Sequence, residues 1–114
     1  MDIQRINPLP RWSDATVYQG MAHFVEVAAD ATADMHGQIS QVLAQAEQTL
    51  AAVGSDKSRL LSVTIYLTDF THAPTLNAVW EAWLPAGCAP SRACVKVELA
   101  DPAYLVEIAF VAAV

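Results

Sequence analysis

The chain has 114 residues, 54% of them apolar and 16% charged, and a formal net charge of -6 from Lys+Arg 6 against Asp+Glu 12. That length suits a single domain over residues 1–114, and the apolar content excludes a disordered chain. The acidic balance argues against a nucleic-acid binder that relies on neutralising phosphates.

Arg5–Asn7 reads as a short edge segment, and Ala15–Tyr18 and Ala22–Val27 as a hairpin turning at Gln19–Gly20. From about Ala33 to Val53, apolar residues recur at intervals of three and four: Met35, Ile39, Val42, Leu43, Ala46, Leu50 and Val53. That stripe predicts an amphipathic helix, with Gln38, Gln41, Gln45, Glu47 and Gln48 mostly elsewhere on its surface. Thr32 or Asp34 is placed to cap its start and Gly54 to end it.

After the Ser55–Ser58 turn the period changes to two. Leu61, Val63, Ile65 and Leu67 should face one way, and Ser62, Thr64, Tyr66 and Thr68 the other, as in a strand with one dry face. Asp69, Thr71 and Pro74 open a second helix, which runs to about Leu84 with Leu76, Val79, Trp80, Trp83 and Leu84 as its stripe. Pro85 ends it. After the loop from Pro85 to Pro90, two strands follow, roughly Arg92–Leu99 and Tyr104–Ala112, joined by Ala100–Ala103.

The alternation favours a hairpin with Leu99 opposite Tyr104, so that Val97 meets Val106, Val95 meets Ile108 and Ala93 meets Phe110. In that register Arg92, Cys94, Lys96 and Glu98 share the second face with Leu105, Glu107, Ala109 and Val111. The whole pattern predicts an α+β domain of two layers, a mixed sheet with two helices on one face. The uncovered face would carry Cys94, Ala109 and Val111 beside Tyr66, a surface neither dry nor fully polar. A cyclic oligomer with clefts between subunits is the expected consequence.

Arg92 is one of four arginines and opens a strand of small and β-branched residues. Its planar fork matches a carboxylate bidentately, although an ordinary ion pair at a surface or interface would also place it there. Glu107 lies among apolar neighbours and must find a partner. It either orients or deprotonates a water, or simply pairs with Lys96, its expected cross-strand neighbour.

Cys94 would share the face of Arg92; with no histidine near it in sequence a Cys–His nucleophile is unsupported, and it reads as a small buried residue. Asn77, between Leu76 and the Val79–Trp80 pair, reads as a residue that caps or bridges a loop carbonyl, and Trp12, just after Pro10, as a lid over a cleft or as ordinary core packing. His23, His36 and His72 stand on different elements and form no zinc pattern, and neither do Cys88 and Cys94. The four glycines form no phosphate loop. No metal or cofactor is therefore expected. No charged amino-terminal region leads into a long apolar run, so neither a signal peptide nor a membrane span is expected, and the setting is read as cytoplasmic.

The stretch Ala89–Pro90–Ser91–Arg92–Ala93–Cys94–Val95, followed by Leu105–Val106–Glu107–Ile108, resembles the signature of the RidA family, also called the YjgF/YER057c/UK114 family. The similarity extends to Asn77–Trp83, to Gly54–Ser55 with the following strand, and to Pro10–Ala15, covering nearly the whole chain. It implies a chorismate-mutase-like subunit in a homotrimer, with three clefts at subunit boundaries.

It also implies hydrolysis of reactive enamines and imines to 2-oxo acids and ammonia. In that scheme Arg92 grips the substrate carboxylate, Glu107 helps place water, main-chain groups near Cys94 meet the reacting nitrogen, and Trp12 and Asn77 contribute to the cleft. One segment departs from the family pattern. Where many relatives have a small residue, Gly and Gln, this chain has Val25 and Glu26, and Glu26 would bring negative charge towards an anionic ligand. The two function classes that follow are an enamine/imine deaminase and a non-catalytic trimer that binds small carboxylates or acts as a regulatory or chaperone-like partner.

Overall fold

A computed structural model describes residues 2–114. Gln4–Pro8 (β1), Ser13–Tyr18 (β2) and Met21–Glu26 (β3) form an antiparallel meander. Its tight turn lies at Gln19–Gly20, where both residues have positive φ, 50° and 77°. Such a turn matches the twist of the strands it joins, and glycine adopts it without a Cβ penalty.

Met35–Ala52 (α1) follows. Asp34 is its cap: the carboxylate accepts from the Gly37 N–H at 2.8 Å. At the other end Gly54 takes φ +79°, while the Ser55 N–H returns to the Leu50 carbonyl at 2.8 Å and the Gly54 N–H to that of Ala51 at 3.1 Å. Two otherwise orphaned carbonyls are thereby satisfied.

Leu60–Leu67 (β4) leads into Ala73–Trp83 (α2), and Ser91–Lys96 (β5) and Val106–Ala113 (β6) complete the chain. The six strands form one mixed sheet in the order β1-β2-β3-β6-β4-β5. Both helices lie on one side. The stripe of α1 (Met35, Ile39, Val42, Leu43, Ala46, Leu50) and Leu76 and Trp80 of α2 bury themselves against the sheet's inner set. That set includes Phe24, Val63, Ile65, Leu67, Val106, Ile108 and Phe110; the rings of Phe24 and Phe110 stack at 4.8 Å.

Three expectations need correction. First, β5 and β6 are not a hairpin. β5 runs parallel to β4 at the sheet edge, with Arg92 beside Val63, Cys94 beside Ile65 and Lys96 beside Leu67. β6 is inserted between β3 and β4, with Phe110 beside Phe24 and Val63. The helix between β4 and β5 provides the crossover a parallel pair needs. Residues 97–105 then carry the chain across the end of β4.

Second, partners in a ladder point to the same side of a sheet, so Arg92, Cys94 and Lys96 lie on the helix side. Glu107, Ala109 and Val111 lie on the open side, and Glu107 stands beside Tyr66, not Lys96. The expected Glu107–Lys96 pairing therefore does not occur, and Cys94 does not belong to the uncovered face. Third, a bulge between Leu60 and Ser62 shifts the alternation at the start of β4. Leu60 turns inward and Leu61 is 45% exposed.

Gln38 is also not a surface residue: it is the one polar side chain in the fully buried set. Its amide donates to the carbonyls of Ala103 (2.9 Å), Ala31 and Ala33 (3.2 Å each), and its oxygen accepts from the Leu105 N–H at 2.9 Å. A buried amide this fully bonded is tolerable where an unpaired one would be costly. Among the described residues, no helix is long and apolar enough to cross a membrane.

Candidate functional site

Arg92 sits one residue into an edge strand. Its start is tied to β4 by the Ser91 hydroxyl, which donates to the Leu61 carbonyl at 3.0 Å. The apolar stripe of α2 turns Leu76 and Trp80 inward, which leaves the intervening Asn77 at the flank of the helix nearest β5. There the Asn77 side-chain oxygen accepts from Nη2 of Arg92 at 2.9 Å. The guanidinium carbon lies 6.0 Å from the centre of the Trp80 ring, within reach of a cation–π contact.

Asn77 occupies one part of the fork and Trp80 lies beside it, and Arg92 is exposed at the sheet edge with further donors on its guanidinium. The arrangement suits a planar anion. Cys94 lies two residues further along the same side, half-buried against the core. Its thiol points into the molecule, so what this position offers at the edge is the main chain, which has no neighbouring strand on its outer side.

Glu107 belongs to a different surface. On the open side of the sheet, Glu107, Ala109 and Val111 of β6 form part of the lining of a cavity of about 660 Å³. Asp14 and Thr16 of β2 and His23 and Val25 of β3 line it too, and Trp12, 61% exposed in the loop between β1 and β2, stands at its rim. That loop is closed by the Leu9 N–H donating to the Trp12 carbonyl at 2.7 Å, and Asp14 accepts from the Asn7 amide at 2.9 Å. Gln38 holds Leu105 two residues before Glu107, and the Thr68 hydroxyl donates to the Leu105 carbonyl at 2.8 Å. The entry into β6 is thus held from both the helix layer and β4.

The candidate residues therefore fall into two groups. Arg92 and Asn77 meet on the helix side, and Glu107 and Trp12 line one cavity on the open side. Arg92 stands beside Val63 and Glu107 beside Tyr66, three residues apart along β4, or roughly 10 Å. They also lie two strand spacings apart, again roughly 10 Å, with the sheet between them. Within one chain they do not converge on a single ligand.

Glu26 requires a further correction. Its carboxylate does not enter the cavity; it turns to the helix layer, accepting from the Thr49 hydroxyl at 2.9 Å and the Gln45 amide at 3.4 Å. Partial burial pushes its pKa up, the two hydrogen bonds oppose this, and the Asp14 charge adds a smaller upward push. Its neighbour Val25, 55% exposed, is the one that lines the cavity.

Sequence reasoning missed Asp14, Thr16 and His23 as lining and Trp80 as the neighbour of Arg92. The alternation along β2 and β3 carried the first signal, since Asp14, Thr16, His23 and Val25 share one pleat face. Among the described residues, no group of three or more His, Cys, Asp or Glu side chains is placed to hold a metal ion.

Comparison with known proteins covers the chain throughout. The family model described as Endoribonuclease L-PSP matches residues 3–114. A RutC family protein of Escherichia coli, YoaB, is 40% identical over 114 residues, the full length of both chains. Among solved structures, an uncharacterized protein from Pseudomonas aeruginosa superposes with a TM-score of 0.95 at 36% identity, covering 98% of each chain. A member of the YjgF protein family from Neisseria meningitidis does so with a TM-score of 0.93 at 38% identity, covering 99% of this chain and 95% of that one.

Proposed function

This chain belongs to the RidA (YjgF) family, and we propose that it is a cofactor-independent deaminase hydrolysing small 2-imino and enamino acids to 2-oxo acids and ammonia. Family membership supports a deaminase-like activity in general terms. The observation that carries the finer reading is the Arg92 guanidinium, presented at a sheet edge and anchored by Asn77 and Trp80. A site for a small carboxylate is what such a fork supplies.

Arg92 and Glu107 lie on opposite sides of one sheet, so a ligand served by both is assembled from two copies. The Arg92 edge of one copy lies against the open-side cavity of the next, and closure of that heterologous contact into a ring gives a homotrimer. The uncovered sheet face supports this arrangement, with Met21, Val25 and Val95 among its exposed side chains.

In the shared cleft Arg92 binds the substrate carboxylate, Asn77 fixes the fork, Trp12 covers the ligand, and edge main-chain groups near Cys94 meet the nitrogen. Glu107 orients a water towards the imine carbon. The water oxygen bonds to that carbon and a proton goes to nitrogen, giving a carbinolamine. The carbon–nitrogen bond then breaks, ammonia leaves, and the hydroxyl gives up its proton to form the 2-oxo acid. Orientation and fixed charges suffice for a reaction this easy. The matching family description names an endoribonuclease; the -6 charge and the acidic cavity favour a small substrate over RNA.

The test uses imines generated in situ, following ammonia and 2-oxo acid after correction for spontaneous hydrolysis. Arg92→Lys keeps the charge but loses the fork, and should lower turnover on the order of 100-fold without changing oligomer mass. Glu107→Gln should lower turnover while leaving 2-oxo-acid binding largely intact. A folded Arg92→Lys protein with wild-type turnover would remove Arg92 from the reaction. Light scattering should give three chain masses; a monomer would abolish the shared cleft.

A further inference from the structure

We propose that the cavity beside Glu107 receives the substrate's side chain and selects neutral, apolar side chains of leucine or phenylalanine type over those ending in a second carboxylate. The inference rests on the reading that Arg92 of a neighbouring copy holds the shared 2-carboxylate, and it concerns the other end of the ligand.

Three features of the cavity carry it. Its volume, about 660 Å³, lies within the range of roughly 300–1,000 Å³ typical of small-molecule sites, and exceeds what a methyl side chain would occupy. Much of its wall is apolar: Trp12 at the rim, and Val25, Ala109 and Val111 on the pleat, while Phe24 and Phe110 border it with main chain because their rings face the helix layer. Its fixed charges have one sign. Asp14 and Glu107 both line it, and no lysine or arginine does among the described residues.

A second carboxylate placed there meets two like charges in a partly water-excluded space. It would also find no fork to replace its lost hydration. An isobutyl or benzyl group meets Trp12 and Val25 and requires no polar partner. Val25, the departure from the family pattern, thus contributes to the wall that contacts such a group, while Glu26 beside it is turned away.

The experiment separates this inference from the deaminase reading by measuring binding and turnover independently. Calorimetry compares the 2-oxo acids of leucine and phenylalanine with that of glutamate. The apolar acids should bind at least ~10-fold more tightly. Asp14→Lys should raise affinity for the dicarboxylate and narrow that ratio to near unity; Asp14→Asn, the milder change, should narrow it in part. Trp12→Ala should weaken the apolar acids selectively.

Equal or tighter binding of the dicarboxylate by the wild type overturns the inference, as does failure of the apolar acids to bind. Turnover is read on imines formed from leucine and from glutamate by an amino-acid oxidase. Hydrolysis of both at equal efficiency would leave the deaminase reading standing and sink the selectivity. Selective binding without faster hydrolysis would sink the deaminase reading and leave the selectivity standing.

Discussion

β5 and β6 are consecutive strands with opposite situations. β6 has a neighbour on each side, and its inner residues Val106, Ile108, Phe110 and Ala112 are all buried. β5 has one neighbour, and of its six residues only Cys94 is as much as half-buried. The difference is one of division of labour. A central strand carries stability and holds Glu107 rigidly from both sides. An edge strand contributes little to the core and leaves its arginine and outer main chain available to another molecule.

The comparison breaks most directly at the core. Phe110→Ala removes a ring stacked on Phe24 and should cost about 3–5 kcal/mol in denaturant unfolding. Lys96→Ala on β5 should stay within about 0.5 kcal/mol. Similar costs for the two would mean that β5 is as integral to the fold as β6.

Gln38→Ala tests the segment that joins the two strands. It leaves the Leu105 N–H and the Ala103 carbonyl without their partner, and should cost about 1–3 kcal/mol. Faster amide exchange at Leu105 should accompany the loss; unchanged exchange would show that Thr68 and β4 hold the entry to β6 without it.

On the β5 side a smaller effect is expected. Asn77→Ala removes one hydrogen bond that the Arg92 cation donates at an exposed edge where water can replace it, worth about 0.5–1.5 kcal/mol. It should raise KM by about 3- to 10-fold, with less effect on kcat and none on oligomer mass. A change confined to melting temperature would make Asn77 a packing residue.

The smallest effect concerns Glu26. Burial raises its pKa in the folded protein above the ordinary 4.5, so the folded state binds the proton more tightly than the unfolded chain does. Glu26 therefore lowers stability as pH rises from the ordinary value through the raised one. Glu26→Gln should melt slightly higher than wild type at neutral pH and lose that advantage below pH ~4.5. Because the carboxylate faces Thr49 and Gln45, the same variant should bind 2-oxo acids as the wild type does. A changed affinity would put Glu26 within the ligand's field.

Much of this was legible in the residues themselves. The α1 stripe, the Asp34 cap, the Gly54 terminus and the Gln19–Gly20 turn depend on neighbours within a few positions, so local chemistry decides them. The inner set of β6 follows from alternation alone, and the two-layer α+β class follows from the order of the elements. The motif around Arg92 and Glu107 pointed to the family because both residues stand in short, recognisable runs.

What only the tertiary structure decided was which strand lies beside which. A period of two assigns side chains to two faces but is satisfied equally by any partner, and a hairpin and an inserted strand look alike along the chain. The parallel crossover through α2 sends β5 to the edge and leaves room for β6 at the centre. That choice puts Arg92 and Glu107 on opposite sides of the sheet. Likewise Gln38 reads as a surface glutamine until the connectors around residues 31–33 and 103–105 close over it. Pairing and burial of this kind depend on segments dozens of residues apart, and no local pattern encodes them.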